Sequence, residues 1–288
     1  MNIADMFKQG RTVFSFEVFP PKKDGSIDTI YSTLEQLKDL RPDFISVTYG
    51  AGGSGQSRAT IEIASQIKSR YKIEPLAHLT CVNSTRADID RIMEEFRENG
   101  IENVLALRGD IISDIPPKED FKYASDLISY MKQHSGLHFS GACYPEGHSE
   151  APSMAEDILN LKKKADAGAE HLISQLFFDN GLFYDFLEKA RAAGINVPIQ
   201  AGIMPCVNAK QIQRMVGLCG ASLPPKFAKL IQRYGHSDAA MRDAGIAYAV
   251  DQIIDLAAHG VDGIHLYTMN DPHIARKISE SVESVLRA

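Results

Sequence analysis

Four stretches of this 288-residue chain are built to one plan: EEFRENGIENVLALRGD (94–110), KKKADAGAEHLISQLFFD (162–179), EKARAAGINVPIQAGIMP (188–205) and DLAAHGVDGIHLYTMN (255–270). In each, a charged helical pattern ends at a glycine (Gly100, Gly168, Gly194 or Gly260) and a strand-like apolar run follows within about three residues. Glycine supplies the left-handed conformation that stops a helix, and so short a gap is typical of an αβ connection. Four further runs with strand character lie at 12–19, 43–49, 75–81 and 138–144, which makes eight. Helical patterns fill the intervals. Ile89, Ile92, Met93 and Phe96 repeat at i, i+3, i+4 and i+7 after a Thr85-x-x-Asp88 capping signal, and Ser153-x-x-Glu156 opens another helix. Leu223-Pro-Pro-Lys226 predicts an extra helix ahead of a long one beginning near Asp238, and a last helix is predicted from about 271 to 287. Eight strand–helix units with near-continuous apolar strands predict an α/β fold, the (β/α)8 TIM barrel, with a doubly wound open sheet as the alternative. No Pro/Gly/Ser-rich linker divides the chain, which predicts one catalytic domain over 1–288.

The bulk numbers exclude some functions. The net charge is −6, so no general basic field points to nucleic acid. No apolar run approaches the roughly 20 residues of a membrane span, and the N-terminus MNIADMFKQGR lacks a signal-peptide apolar stretch. The cytoplasm is the expected location. Cys81, Cys143, Cys206 and Cys219 form no CxxC pair and read as reduced thiols.

A barrel carries its chemistry at the C-terminal ends of its strands. Polar residues near those ends are Glu17, then Thr48 and Tyr49, His78 and Thr80, Arg108 and Asp110, Tyr144 with Glu146 and His148, Gln175, and finally Tyr267 and Asn270. Each has a structural explanation on its own, but seven strands with polar groups at one end would ring a single cavity. Gly50-Ala-Gly52-Gly-Ser-Gly55 matches G-x-G-x-x-G, a weak signal alone, and reads here as a βα loop at the active face. Glu146, His148 and Glu150 lack a further ligand cluster of recognised spacing and read as loop hydrogen-bonding groups, so no metal is expected. No lysine falls inside a predicted strand, which argues against a Schiff-base mechanism.

The motifs FSFEVFPPK, FISVTYGAGG, AHLTC, VLALRGD, YASDL, CYPEGHSEA, DILNLKKKADAGA, ISQLFFD, GIMP and HLYTMN occur in this order. Together, over roughly residues 12 to 270, the chain resembles the bacterial 5,10-methylenetetrahydrofolate reductases, single-domain flavoproteins folded as (β/α)8 barrels. The resemblance implies non-covalent FAD held by Tyr49, Ala51, His78, Arg108, Gly109, Asp110, Tyr123, Ala124, Tyr144, His148, Ala151, Asp157, Asn160, Lys163 and Lys164, the two lysines taking the diphosphate. Thr48, Tyr144 and Gln175 would meet nicotinamide or folate in turn, and Gln211 would contact folate. In the implied reaction NADH or NADPH reduces the flavin and leaves. Methylenetetrahydrofolate then binds, opens to an iminium and is reduced to the 5-methyl form. Glu17 would donate the proton to N10, and Asp110 would face the cation. A homo-oligomer is expected, with a partner subunit as the variant arrangement.

Two positions depart from the better-known bacterial members. Asp271 stands where they have Arg after the YTxN strand end, and Met215 where they place an aromatic on the helix after strand seven. Two other readings therefore stay open: a pterin-binding methyltransferase barrel without flavin, and a barrel subunit active only in a larger complex with another electron donor. For Glu17, the flanking Phe16, Val18 and Phe19 and a nearby Asp110 predict a carboxyl raised above its usual value, about 4.3.

Overall fold

The computed structural model describes residues 1–21, 25–49, 54–111 and 116–288, with residues 54–57 and 218 described by backbone alone. Eight parallel strands close into a barrel in chain order: β1 (Val13–Val18), β2 (Phe44–Val47), β3 (Glu74–Thr80), β4 (Asn103–Leu107), β5 (His138–Cys143), β6 (Ala169–Ser174), β7 (Ile199–Ile203) and β8 (Gly263–Tyr267). β1 and β8 close the ring, with Ser15 opposite His265 and Glu17 opposite Tyr267. The predicted (β/α)8 barrel is the fold, and the open sheet is set aside.

The surrounding helices are α1 (Ile27–Leu37), α2 (Ser54–Ser69), α3 (Arg86–Glu98), α4 (Ala124–His134), α5 (Met154–Ala167), α6 (Asn180–Ala192), α7 (Ala209–Cys219), α8 (Pro225–Tyr234), α9 (Asp238–Ala258) and α10 (Pro272–Leu286). α8 is the predicted extra helix. The capping signals act as read: Thr85 and Asp88 satisfy each other's backbone N–H groups at the start of α3, and Ser153 accepts from the Glu156 N–H at the start of α5. The four glycines of the repeat all take positive φ. β7 begins later than the repeat implies, at Ile199, because Pro198 has no N–H to give to a ladder. No described helix is long and apolar enough to cross a membrane.

Alternation along each strand sorts the side chains. Phe16 and Val18 face outward into the main core between barrel and helices, whereas Val13, Ser15 and Glu17 share the inward face. The bottom of the barrel is apolar: Val13, Phe44, Leu76, Leu105 and Ile173 pack with Ile3 and Met6 of a short 3₁₀ helix, Ile3–Gln9. That N-terminal plug was not foreseen from the sequence. The interior also carries polar groups, with Ser15, Ser46, Ser140, His171, Gln200 and His265 all buried, and His171 packed on Phe7 and Phe44 at the lower end.

Candidate active site

Glu17 stands at the top of this polar column, its side chain 18% exposed toward the mouth of the barrel. Its Oε2 has three polar neighbours: His78 Nε2 of β3 at 3.5 Å, Ser46 Oγ of β2 at 3.5 Å and His265 Nε2 of β8 at 3.6 Å. Its backbone carbonyl accepts from the Thr268 hydroxyl, just past β8, at 2.6 Å. Asn270 clasps the next turn by bonding both the N–H and the carbonyl of Phe19.

The expected upward shift of the Glu17 carboxyl is overturned. Burial pushes it up, but His265, His78 and the Ser46 hydroxyl, all facing Oε2, outweigh burial and the net direction is down. The apolar flanks in sequence are not flanks in space, because Phe16 and Val18 lie on the other side of the sheet. Nor does Asp110 act on Glu17: it is exposed beyond β4, and its charge is felt by Arg108, Tyr144 and Cys219. His78 is buried and held down to about 4, chiefly by desolvation, so it is neutral near pH 7.

The residues after β4 and β5 form a second group. Arg108 grips Glu150 with both terminal nitrogens, at 2.6 and 2.7 Å, and its Nε bonds the Gly109 carbonyl at 3.1 Å. Gly109 has φ +86, and a Cβ there would press on Thr80 and Val82, so both backbone and space require glycine. The Tyr144 ring meets His148 edge-on at 4.7 Å, and burial pushes the Tyr144 hydroxyl up to about 12. Asp157 accepts the His148 N–H at 3.1 Å, His148 Nδ1 accepts from the Glu150 N–H, and the Ala151 N–H bonds the His148 carbonyl. Glu146 takes the N–H of Ser222. Glu146 and Glu150 thus serve loop hydrogen bonding, as read from the sequence.

On α5 the two adjacent lysines differ. Lys163 is exposed and bonds Asn160 Oδ1 at 3.0 Å. Lys164 turns inward to the Ala142 carbonyl, its stem against Gly141, and burial lowers its ammonium. Tyr123 caps α4, which packs beside α5, and its ring is 52% exposed; Ala124 behind it is buried. Thr48 donates its N–H to the Val18 carbonyl just past β2, beside half-buried Tyr49. Gln175 follows β6 and folds its Oε1 onto the Leu176 N–H. Gln211 and Met215 lie on α7, Met215 against the second core cluster with Phe178 and Met204. Ala51 lies outside the described residues.

Sequence reasoning missed Ser15, Ser46 and His265. For Ser15 and His265 the signal was present: once Glu17 and Tyr267 face inward, so do the residues two positions below them. Tyr267 itself donates to the Ser174 carbonyl at 2.6 Å.

Three comparisons place this geometry among known proteins. The family model described as methylenetetrahydrofolate reductase matches residues 2–283. The 5,10-methylenetetrahydrofolate reductase of Pectobacterium carotovorum subsp. carotovorum is 36% identical over 95% of this chain and 91% of its own length. Methylenetetrahydrofolate reductase (NADH) 1 of Arabidopsis thaliana is 37% identical over 94% of this chain, which spans 49% of the plant protein. The solved structure of a Clostridium thermocellum protein that binds two copies of 5-methyl-5,6,7,8-tetrahydrofolic acid superposes with a TM-score of 0.67 at 15% identity, covering 99% of both chains, and shows the shared fold. Matched by the family model nearly from end to end, and by a bacterial relative over almost its full length, the chain belongs to the methylenetetrahydrofolate reductase family.

Proposed function

We propose that the chain reduces 5,10-methylenetetrahydrofolate to 5-methyltetrahydrofolate with FAD as cofactor and NADH or NADPH as donor, and that Glu17 is the proton donor. The observation that carries this is the inward, partly open carboxyl of Glu17 at the barrel mouth, in a chain of this family. The methylene–N10 bond breaks with its electron pair going to N10, which takes the proton of Glu17. The N5 iminium left behind is cationic, and the exposed carboxylate of Asp110 at the end of β4 stabilises it before it is reduced to methyl. Glu17 must hold a proton to act, although its direction in the open barrel is downward. A folate ring covering the exposed part of the side chain removes the remaining water, and desolvation disfavours the charged form.

The residues present fit a phosphate-bearing aromatic cofactor. The Tyr123 ring is exposed at the start of α4, Lys163 offers an exposed cation on α5, and Arg108 ties the loop after β4 to Glu150 in the loop after β5. When bound there, a flavin supplies the electron pair for the reduction. Tyr144, His148, Ala151, Asp157, Asn160 and Lys164 would line the same place, with Gly109 allowing close approach. His78, Thr48, Tyr49, Ala51, Ala124, Gln175 and Gln211 complete the set proposed for cofactor and substrate.

The test is Glu17→Gln in stopped flow. Reduction by NADH or NADPH is expected to persist, while the folate half-reaction falls about 10²- to 10⁴-fold. Equal losses in both halves would remove Glu17 from the proton-donor role. The family match favours this reading over a flavin-free methyltransferase; flavin absorbance of the purified protein is the direct check.

A further inference from the structure

Behind Glu17 lies a buried polar chain with no role in the steps above. Ser15 sits two residues below Glu17 on β1, opposite His265 on β8. Ser15 Oγ is 2.7 Å from His265 Nδ1 and receives the Nε2 of Gln200 at 3.1 Å. The same Gln200 nitrogen reaches the Ile264 carbonyl at 3.4 Å, and its Oε1 has no hydrogen-bond partner among the described residues. Ser15, Gln200 and His265 are 0% exposed.

A serine hydroxyl has one proton to donate. Gln200 donates to Ser15 Oγ, so that proton goes to His265 Nδ1, the one acceptor the structure gives it among the described residues. Nδ1 then accepts, and a neutral ring carries its proton on Nε2. Nε2 faces Ser46 Oγ at 3.3 Å and, beyond direct hydrogen-bond range, Glu17 Oε2 at 3.6 Å. Ser46, His78 and His265 all converge on Oε2, and Oε1 has no hydrogen bond among the described residues.

We propose that Ser15 and Gln200 make His265 a positioning residue for Glu17: they hold its proton on Nε2, and the groups gathered at Oε2 leave Oε1 as the oxygen that carries the transferable proton. The inference rests on Glu17 being the acid. Without the Ser15 hydroxyl no donor holds Nδ1 as an acceptor, and the ring's proton is free to leave the side that faces Glu17. The titratable groups that face His265 are Glu17 from β1, His78 from β3, His171 from β6 and Tyr267 from its own strand.

Long-range 1H–15N spectra of the full chain, with His265 assigned by His265→Gln, read the tautomer directly and need no folded Ser15 variant. The wild type is expected to show Nε2 protonated and Nδ1 accepting. Ser15→Ala is expected to shift the ring toward Nδ1 protonation, which takes the donor away from Glu17 and moves the pH midpoint of the folate half-reaction up by about one unit. The donor half-reaction should not move. His265→Gln keeps an amide group near the Nε2 position that no ring tautomer can take away, and should retain the wild-type midpoint. A wild-type ring protonated at Nδ1, or a Ser15→Ala protein with unchanged spectrum and midpoint, would overturn the inference. Glu17→Gln separates it from the reading beneath it. If that variant keeps the folate half-reaction, the acid assignment falls whatever the spectrum. If it loses the half-reaction while the wild-type ring carries Nδ1–H, the positioning inference alone falls.

Discussion

Asp271 acts as a helix cap in this structure. Its Oδ1 accepts the N–H groups of His273 at 3.0 Å and Ile274 at 3.1 Å, with Pro272 in the first position of α10. Asp271→Arg removes the cap and places a cation at the positive end of the helix; a loss of about 1–2 kcal/mol is expected, read as a lower urea midpoint, while Asp271→Ser should be nearly neutral. The departure from relatives at this position therefore has a local structural use. Lys163 and Lys164 need the same residue-by-residue treatment. Lys164→Met should lower the urea midpoint, because it abandons the Ala142 carbonyl inside the wall, whereas exposed Lys163→Met should leave it unchanged. If both variants behave alike, the inward placement of Lys164 is not what matters. The sequence showed which residues cluster at the mouth but not how they pair. Glu17 was read against Phe16 and Val18, its neighbours in the chain, when its neighbours in space come from β2, β3 and β8. That pairing depends on register and closure, which a single strand does not state.

At the scale of elements, the repeat of helix, glycine and strand was legible because each unit carries its own stop signal and its own periodicity. Four strands fall where those signals put them, with β7 shortened at its start, and the other four and α8 fall where their apolar runs and the Pro-Pro start put them. The 3₁₀ plug was not legible. Its apolar residues Ile3, Met6 and Phe7 fall within seven residues, too few for a period to stand out, and their value lies in a hole that exists only once the barrel has closed. Ile3 is 1% exposed, so Ile3→Ala is expected to cost about 2–4 kcal/mol, measured by urea unfolding. A near-zero effect would mean that the plug is not part of the cooperative unit. On β7, a methyl at Gly202 would run into the Ser174 carbonyl and the Tyr267 ring and hydroxyl. Gly202→Ala is therefore expected to break the Tyr267–Ser174 bond and to cost about 1–3 kcal/mol.

For the whole molecule, the polar column sets the response to acid. Burial holds His78 down to about 4 and His171 to about 3, from an ordinary 6.5. The unfolded chain binds more protons than the folded one below pH 6.5, so stability falls as pH drops through that value and goes on falling until the folded histidines titrate. His171→Gln should flatten that decline, seen as urea midpoints that depend less on pH between about 7 and 5. An unchanged slope would assign the acid limb to other groups. The plugged underside has a consequence of another kind. With Ile3 and Met6 filling the lower opening, the described residues leave Glu17 reachable from the upper side and not from below. Whatever enters must leave by the door it came through, and a second reactant cannot be fed from beneath while the first is in place. Two reactants that both need this chamber have to queue, and an excess of either should slow turnover by standing in the doorway.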